Sequence, residues 1–127
     1  MEDNKNIFGK KRSFCDGIPD YHQLSIVELE EKLSNNSGYI KSQVLIELAN
    51  RNQFDYLHRA IINKEYQQLK ALSIFNVAQI AGLAIIDYGT KADIIKLRNE
   101  LKTWSEYQIE TFDNYLKKSG VNIFEFE

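Results

Sequence analysis

The most constraining feature of this chain is its most apolar stretch, residues 69–88, LKALSIFNVAQIAGLAIIDY. Placed at helical spacing, Leu72, Phe75, Val77, Ile80, Leu83, Ile85 and Ile86 point in nearly every direction. A helix that is apolar all round has to be enclosed by other elements. Only Ser73, Asn76, Gln79 and Gly82 interrupt it between Lys70 and Asp87. The expectation is a central helix opening at Glu65 or Tyr66 and ending at Tyr88, about 33 Å long at 1.5 Å per residue, wrapped by helical neighbours in an all-α domain. Gly82 is a candidate kink.

A membrane span needs about 20 predominantly apolar residues. Asn76 and Gln79 lie inside this stretch, and Lys70 and Asp87 bound it, so a buried core helix is the better reading. Ala78-x-x-x-Gly82 puts two small residues on one face, which suits close helix contact in such a core. With 127 residues the chain is long enough for one ordinary domain core without a disulfide or metal staple. Its single cysteine, Cys15, has no internal partner, and the opening MEDNKNIFGKKR lacks the apolar run of a secretory signal, so a cytoplasmic location is expected. A formal charge of −2 is too slight to announce a nucleic-acid binder.

Along the chain, residues 1–24 show no clear period and read as an irregular extension. Lys10-Lys11-Arg12 could contact phosphate, but Glu2, Asp3, Asp16 and Asp20 offset it, and a solvated tail is the simpler reading. Helical grammar starts at Ser25-x-x-Glu28, which has the form of a capping box. Ile26, Leu29 and Leu33 follow at helical spacing until Asn35-Asn36-Ser37-Gly38 breaks the pattern. Ile40, Val44, Leu45, Leu48 and Ala49 mark a second helix. Asn52-x-x-Asp55 is placed to cap a third, with Phe54, Leu57, Ile61 and Ile62 inward. After the central helix, Gly89 suits a left-handed stop and Thr90-x-x-Asp93 a capping pair. Ile94, Leu97, Leu101 and Ile95 are expected to give the next helix its inner face. A last helix restarts at residues 103–106 and stops at Ser119-Gly120. Residues 121–127, VNIFEFE, form a tail that is either extended on the last helices or frayed.

Catalytic constellations are few. Asp55-x-x-His58 has a spacing used by metal sites in helical bundles, but such sites need a second copy and more carboxylates. His22, the other histidine, has Pro19 where the acid would be. The expected roles are therefore a capping Asp55, a half-exposed His58 and no metal or other cofactor. Cys15 with His22 or His58 is a conceivable nucleophile and base, yet no motif surrounds it. There is no glycine-rich phosphate loop and no nucleophile elbow. The chain is expected not to be an enzyme.

A binding surface is easier to place. The region from Trp104 onward carries Glu106, Glu110, Asp113, Glu125 and Glu127 among Trp104, Tyr107, Phe112, Tyr115, Phe124 and Phe126, against only Lys117 and Lys118. Aromatic anchors inside an acidic rim suit a basic protein partner. Trp104, Glu106, Tyr107, Glu110, Asp113, Glu125 and Glu127 are the candidate partner-binding residues. Phe112 and Tyr115 share the inner stripe and belong equally well to the core.

The segments IKSQVLIELANRNQFDYLHRAI and QLKALSIFNVAQIAGLAIIDYGTKADIIKLRNEL share an order: an apolar helix, a tight polar turn, and a second helix entered through an acidic residue. In this the chain, over residues 24–120, resembles degenerate HEAT-type helical repeats. It departs from them in lacking the proline usual in first helices and in the irregular basic residues after the capping acid, His58 and Arg59 in one unit, Lys96 and Arg98 in the other. The resemblance implies a short right-handed solenoid of antiparallel helix pairs; an up-and-down helix bundle is the alternative. At the level of class, it is similar to the immunity proteins that neutralise bacterial toxins of contact-dependent and polymorphic systems. That resemblance implies occlusion of a cognate toxin domain with a basic surface, such as a nuclease, without turnover. An adaptor or regulatory subunit is the alternative, and a base-excising nucleic-acid protein of the HEAT class ranks lower because the basic residues are scattered.

Overall fold

In a computed structural model, described here for residues 4–14 and 16–124, the chain is mostly helical with one small sheet. In order come α1 (Ile26–Leu33), α2 (Gly38–Asn50), α3 (Phe54–Ile61), β1 (Lys70–Leu72), β2 (Phe75–Asn76), α4 (Val77–Tyr88), α5 (Lys91–Glu100) and α6 (Glu106–Lys118). Single 3-10 turns sit at Pro19–Tyr21 and Leu101–Thr103.

The enclosed helix is α4, in which every residue from Val77 to Asp87 is buried. It packs against α2 and α3, with α1 laid on α2 and α5 on α3 and α4. Gly82 does not divide it. A Cβ there would stand 2.9 Å from the ring of Phe112, so the bare Cα is what lets that ring close over α4. Trp104 meets the same ring edge-on, with centroids 5.2 Å apart.

The expected start of this helix is wrong by three turns. Residues 65–76 are a turn and a two-stranded antiparallel hairpin, with Lys70 opposite Asn76 and Leu72 opposite Phe75. Two causes act together. Asn76 caps α4 through a capping box with Gln79, which fixes the first helical residue at Val77. Ser73 adopts φ 57°, a left-handed value that turns the chain back immediately before the cap. Leu72 and Ile74 then face solvent, 45% and 69% exposed.

Capping boxes at Ser25/Glu28 and Thr90/Asp93 form as their spacing predicts. The pair Asn52/Asp55 does not. Asn52 has φ 62° and ends α2 in the left-handed position after a helix, while α3 begins from Gln53 without a side-chain cap. Gly89 is extended (φ −77°, ψ 167°) rather than left-handed, its amide closing on Ile85 O at 2.7 Å.

The N-terminal segment is tied down by two buried carboxylates. Asp87 accepts the amides of Ser13 (2.9 Å) and Phe14 (2.6 Å), and Arg12 Nε donates to Asp87 O at 2.9 Å while its guanidinium lies over the Tyr88 ring. Glu47 accepts the Ile18 amide at 2.9 Å and pairs with Arg51 at 3.0 Å. Arg51 in turn donates to the carbonyls of Tyr21 and His22. Arg12 is thus part of the packed structure, not of a solvated basic tail. At the other end Val121 and Ile123 are buried, so the tail is packed through Ile123.

Candidate partner-binding surface

The N-terminus of α6 is held against the hairpin by side-chain amides. Gln79 Oε1 accepts the Asn76 amide as half of the α4 capping box, and its Nε2 donates to Gln108 O at 3.0 Å. Gln108 repeats the arrangement: Oε1 accepts the Ser105 amide at 3.0 Å, and Nε2 donates to Gln67 O at 2.7 Å. Gln67 O also receives Asn76 Nδ2 at 3.0 Å. A glutamate would cap either helix equally well, but only an amide has protons left to reach the neighbouring element.

This lattice fixes the outward side chains. Between the hairpin and α6 lies an open groove of about 440 Å³, lined by Ile74, Phe75, Asn76, Tyr107 and Thr111 among others. Tyr107 on one bank is 76% exposed and Ile74 on the other 69%. Glu106 and Glu110 are exposed along the same helix, one turn apart on the ridge that carries Tyr107.

Of the residues the sequence singled out, Glu106, Tyr107 and Glu110 are therefore together at the surface. Trp104 is not: it is 6% exposed, its Nε1–H donates to Ile61 O at 2.8 Å, and it is a core residue locking the end of α3. Its place at a helix junction is what the short 3-10 turn Leu101–Thr103 buries. Asp113 is mostly covered, with Oδ2 paired to Lys117 at 3.0 Å and Oδ1 buried without a hydrogen-bond partner among the described residues. Glu125 and Glu127 lie outside the described residues, as does Cys15. Phe112 and Leu116 form the buried stripe of α6, and Tyr115 is half-buried, edge-on to Phe75 at 5.2 Å. Sequence reasoning missed Ile74, because it assigned the hairpin to the central helix.

The second polar constellation is internal. His58 is 5% exposed and lies between Glu100 Oε1 (2.8 Å from Nδ1) and Asp93 Oδ1 (3.0 Å from Nε2). Both acceptors are carboxylates, so both ring nitrogens donate and the ring is an imidazolium. Burial works to lower the His58 pKa, but the hydrogen bonds to Glu100 and Asp93 outweigh it and raise the value. Burial likewise opposes ionisation of Asp93, yet the Thr90 amide and His58 together hold its pKa below the usual carboxylate value. Asp55, expected as a cap, is exposed and caps nothing, and His58 is buried where a half-exposed ring was expected. Each nitrogen being engaged, the ring has no position from which to accept a substrate proton. Among the described residues no cluster of His, Cys, Asp and Glu is placed to hold a metal ion, and no helix is long and apolar enough to cross a membrane. Compared with known proteins, the chain matches no family model, no curated protein and no solved structure.

Proposed function

We propose that this chain is a non-catalytic binding protein of the immunity type, which neutralises a cognate bacterial toxin domain in the cytoplasm by covering a basic surface at its active site. The observation that carries the reading is the pairing of Tyr107 and Ile74, two large and strongly exposed side chains lining one groove, with Glu106 and Glu110 exposed on the helix that carries Tyr107 and Lys70 the one charged side chain in the lining among the described residues. Large apolar anchors supply most interface energy, and an acidic surround speeds capture of a basic partner. The anchors sit on elements already fixed by the Gln79 and Gln108 amides, so little ordering entropy is lost on binding. A short HEAT-like solenoid is the scaffold that goes with this reading. In its favour, α2 packs with α3 and α4 with α5, and α2 and α4 are neighbours; the cap at Asn52 departs from the repeat.

The test is co-expression with candidate toxin domains of contact-dependent and polymorphic systems, scored by growth and by calorimetry on the purified pair. Wild type should protect the cells and bind the domain. Tyr107→Ala and the double reversal Glu106→Lys with Glu110→Lys should each weaken binding by about thirtyfold or more, as loss of an anchor of ~2 kcal/mol or more requires, and abolish protection. Absence of a complex, or unchanged affinity in both variants, overturns the reading.

A further inference from the structure

Residues 13–14 and 16–18 lie across the last turns of α2 and α4 as a strap. Among the described residues, every main-chain hydrogen bond they make to those helices ends on a side chain. Asp87 Oδ1 and Oδ2 accept the consecutive amides of Ser13 (2.9 Å) and Phe14 (2.6 Å). The neighbouring Tyr88 hydroxyl donates to Phe14 O and accepts the Gly17 amide at 3.0 Å. Glu47 Oε1 accepts the Ile18 amide at 2.9 Å. Gly17, with φ 60°, permits so close a seat, since a Cβ there would stand 2.6 Å from Glu47 Oε1. The remaining main-chain bonds, Gly17 to Phe14 and Tyr21 to Ile18, stay inside the segment. The strap can therefore lift without breaking a helix or strand ladder, which is the condition for a local opening that costs less than global unfolding.

Lifting the strap changes the surroundings of one carboxyl. Asp87 is 2% exposed with the strap down, and both its oxygens are covered by the strap's own amides. No cation among the described residues forms an ion pair with it. Arg12 donates through Nε to the Asp87 main-chain carbonyl and lies over the Tyr88 ring. On α5, Lys91 is exposed and Asp93 is engaged by Thr90 and His58. On α6, Tyr115 Oη is 3.4 Å from the Ser13 hydroxyl, and on α2, Glu47 pairs with Arg51. Burial pushes the Asp87 carboxyl up to about 6, the two amides and Arg12 acting the other way. An uncovered Asp87 returns to the ordinary value of 3.8, so opening releases a proton when the pH lies between the two values.

We propose that this segment is a proton-linked strap, which opens as one unit from α2 and α4 and is held down more firmly as the solution is acidified. The closed form binds the extra proton, so its advantage is complete below about pH 4 and is lost as pH rises through about 6. Phe14 and Ile18, packed on the core with the strap down, are uncovered with it. The apolar edge they form is thus shown more often at neutral pH than in acid. His22 lies at the other end, its Nε2 2.7 Å from Asp16 O and 3.4 Å from Glu47 Oε1, and a charged ring there would also favour the closed form in acid. A variant separates the two groups. The inference does not rest on the groove bearing Ile74 and Tyr107 binding a partner.

The test is amide hydrogen exchange of the full chain at pH 5 and pH 7, followed by NMR and corrected for intrinsic exchange. The Ser13, Phe14, Gly17 and Ile18 amides should share one level of protection, below that of α4. They should lose about tenfold of it between the two pH values, as carboxyl values of 3.8 and about 6 require. In the same wild-type samples the Ser13 and Phe14 amide proton shifts should titrate with a midpoint near 6. Asp87→Asn should abolish the tenfold difference. Tyr88→Phe should lower the protection of all four amides by about tenfold at both pH values, Ile18 included, and keep the difference. His22→Gln should keep it as well. Equal protection at pH 5 and pH 7, a difference that survives Asp87→Asn or vanishes in His22→Gln, or an Ile18 amide indifferent to Tyr88→Phe overturns the proposal.

Discussion

Gln79 Nε2 donates to the main-chain carbonyl of Gln108 at 3.0 Å, joining the first turn of α4 to the first turn of α6. Each glutamine is also the third residue of its own capping box. One side chain thus completes a helix start and fastens that start to another element. The exposed bank carrying Tyr107 inherits its position from this double use.

Replacing Gln108 with Glu separates the two roles. The carboxylate still accepts the Ser105 amide and gains ~0.3–1 kcal/mol from the helix dipole. It can no longer donate to Gln67 O, and it brings a negative charge against that carbonyl. A net loss of about 1 kcal/mol is expected, since a lost hydrogen bond costs roughly 0.5–1.5 kcal/mol and the repulsion adds to it. Urea unfolding measures it. A Gln108→Glu protein as stable as wild type, or more so, would show that the cross-link contributes nothing.

His58 joins α3 to α5 through two carboxylates, so removing it leaves the buried Glu100 and the half-buried Asp93 without their shared cation. His58→Gln should cost about 3–5 kcal/mol, the usual cost of stripping one partner from a buried ion pair. The pH dependence has a definite sign. Because the folded-state pKa lies above the ordinary 6.5, the contribution of His58 is complete below about pH 6.5 and fades as pH rises through the raised value. Chemical denaturation at several pH values should show wild type losing stability on the alkaline side and the variant lacking that slope. A parallel pair of curves refutes the imidazolium.

Asp87 titrates with a consequence of the same sign, in a more acidic range. Burial raises its pKa to about 6, against the lowering influence of the Ser13 and Phe14 amides and of Arg12. The folded protein therefore binds this proton more tightly than the unfolded chain, and stability from this group falls as pH rises from about 4 to about 6. Asp87→Ala removes that slope and frees two amides. Hydrogen exchange should report Ser13 and Phe14 opening faster than in wild type, with α4 itself unchanged. Unaltered protection at those two amides would mean that Asp87 does not hold the N-terminal segment.

Helix starts were legible where the capping chemistry is local. Ser25 with Glu28 and Thr90 with Asp93 need only a spacing of three, and both boxes form. The burial of α4 was legible from its lack of a polar face. Residues 69–76 were not, because a short apolar run satisfies a buried helix and a hairpin alike, and the deciding features are a left-handed Ser73 and an asparagine cap at Asn76. Asn52 misled for a related reason: asparagine ends helices as readily as it starts them. The acids Glu47, Asp87 and Glu100 were beyond reach. Apart from Arg51, one turn after Glu47, the partners that tie them into the fold lie 29, 74 and 42 positions away, and no periodicity links residues at such distances. For the binding surface, the acidic and aromatic composition located the right helix but could not separate Tyr107 from Trp104, which differ only in which way the chain turns at Ser105.

That separation is itself measurable, since the two aromatic residues should respond in opposite ways to substitution. Trp104→Phe keeps most of the packing on Phe112 and removes one of two donors to the carbonyl of Ile61, which retains Gln67 Nε2 at 3.2 Å, so a cost of about 0.5–1.5 kcal/mol is expected. Tyr107→Ala removes a side chain that is 76% exposed and should change stability by no more than about 0.5 kcal/mol. As the sole tryptophan, Trp104 reports its own environment: its emission should be blue-shifted in the folded protein and move to the red on unfolding. Thermal melts of the two variants decide the assignment. If Tyr107→Ala proves the more destabilising, the tyrosine is structural, and the surface proposed to bind a partner loses its anchor.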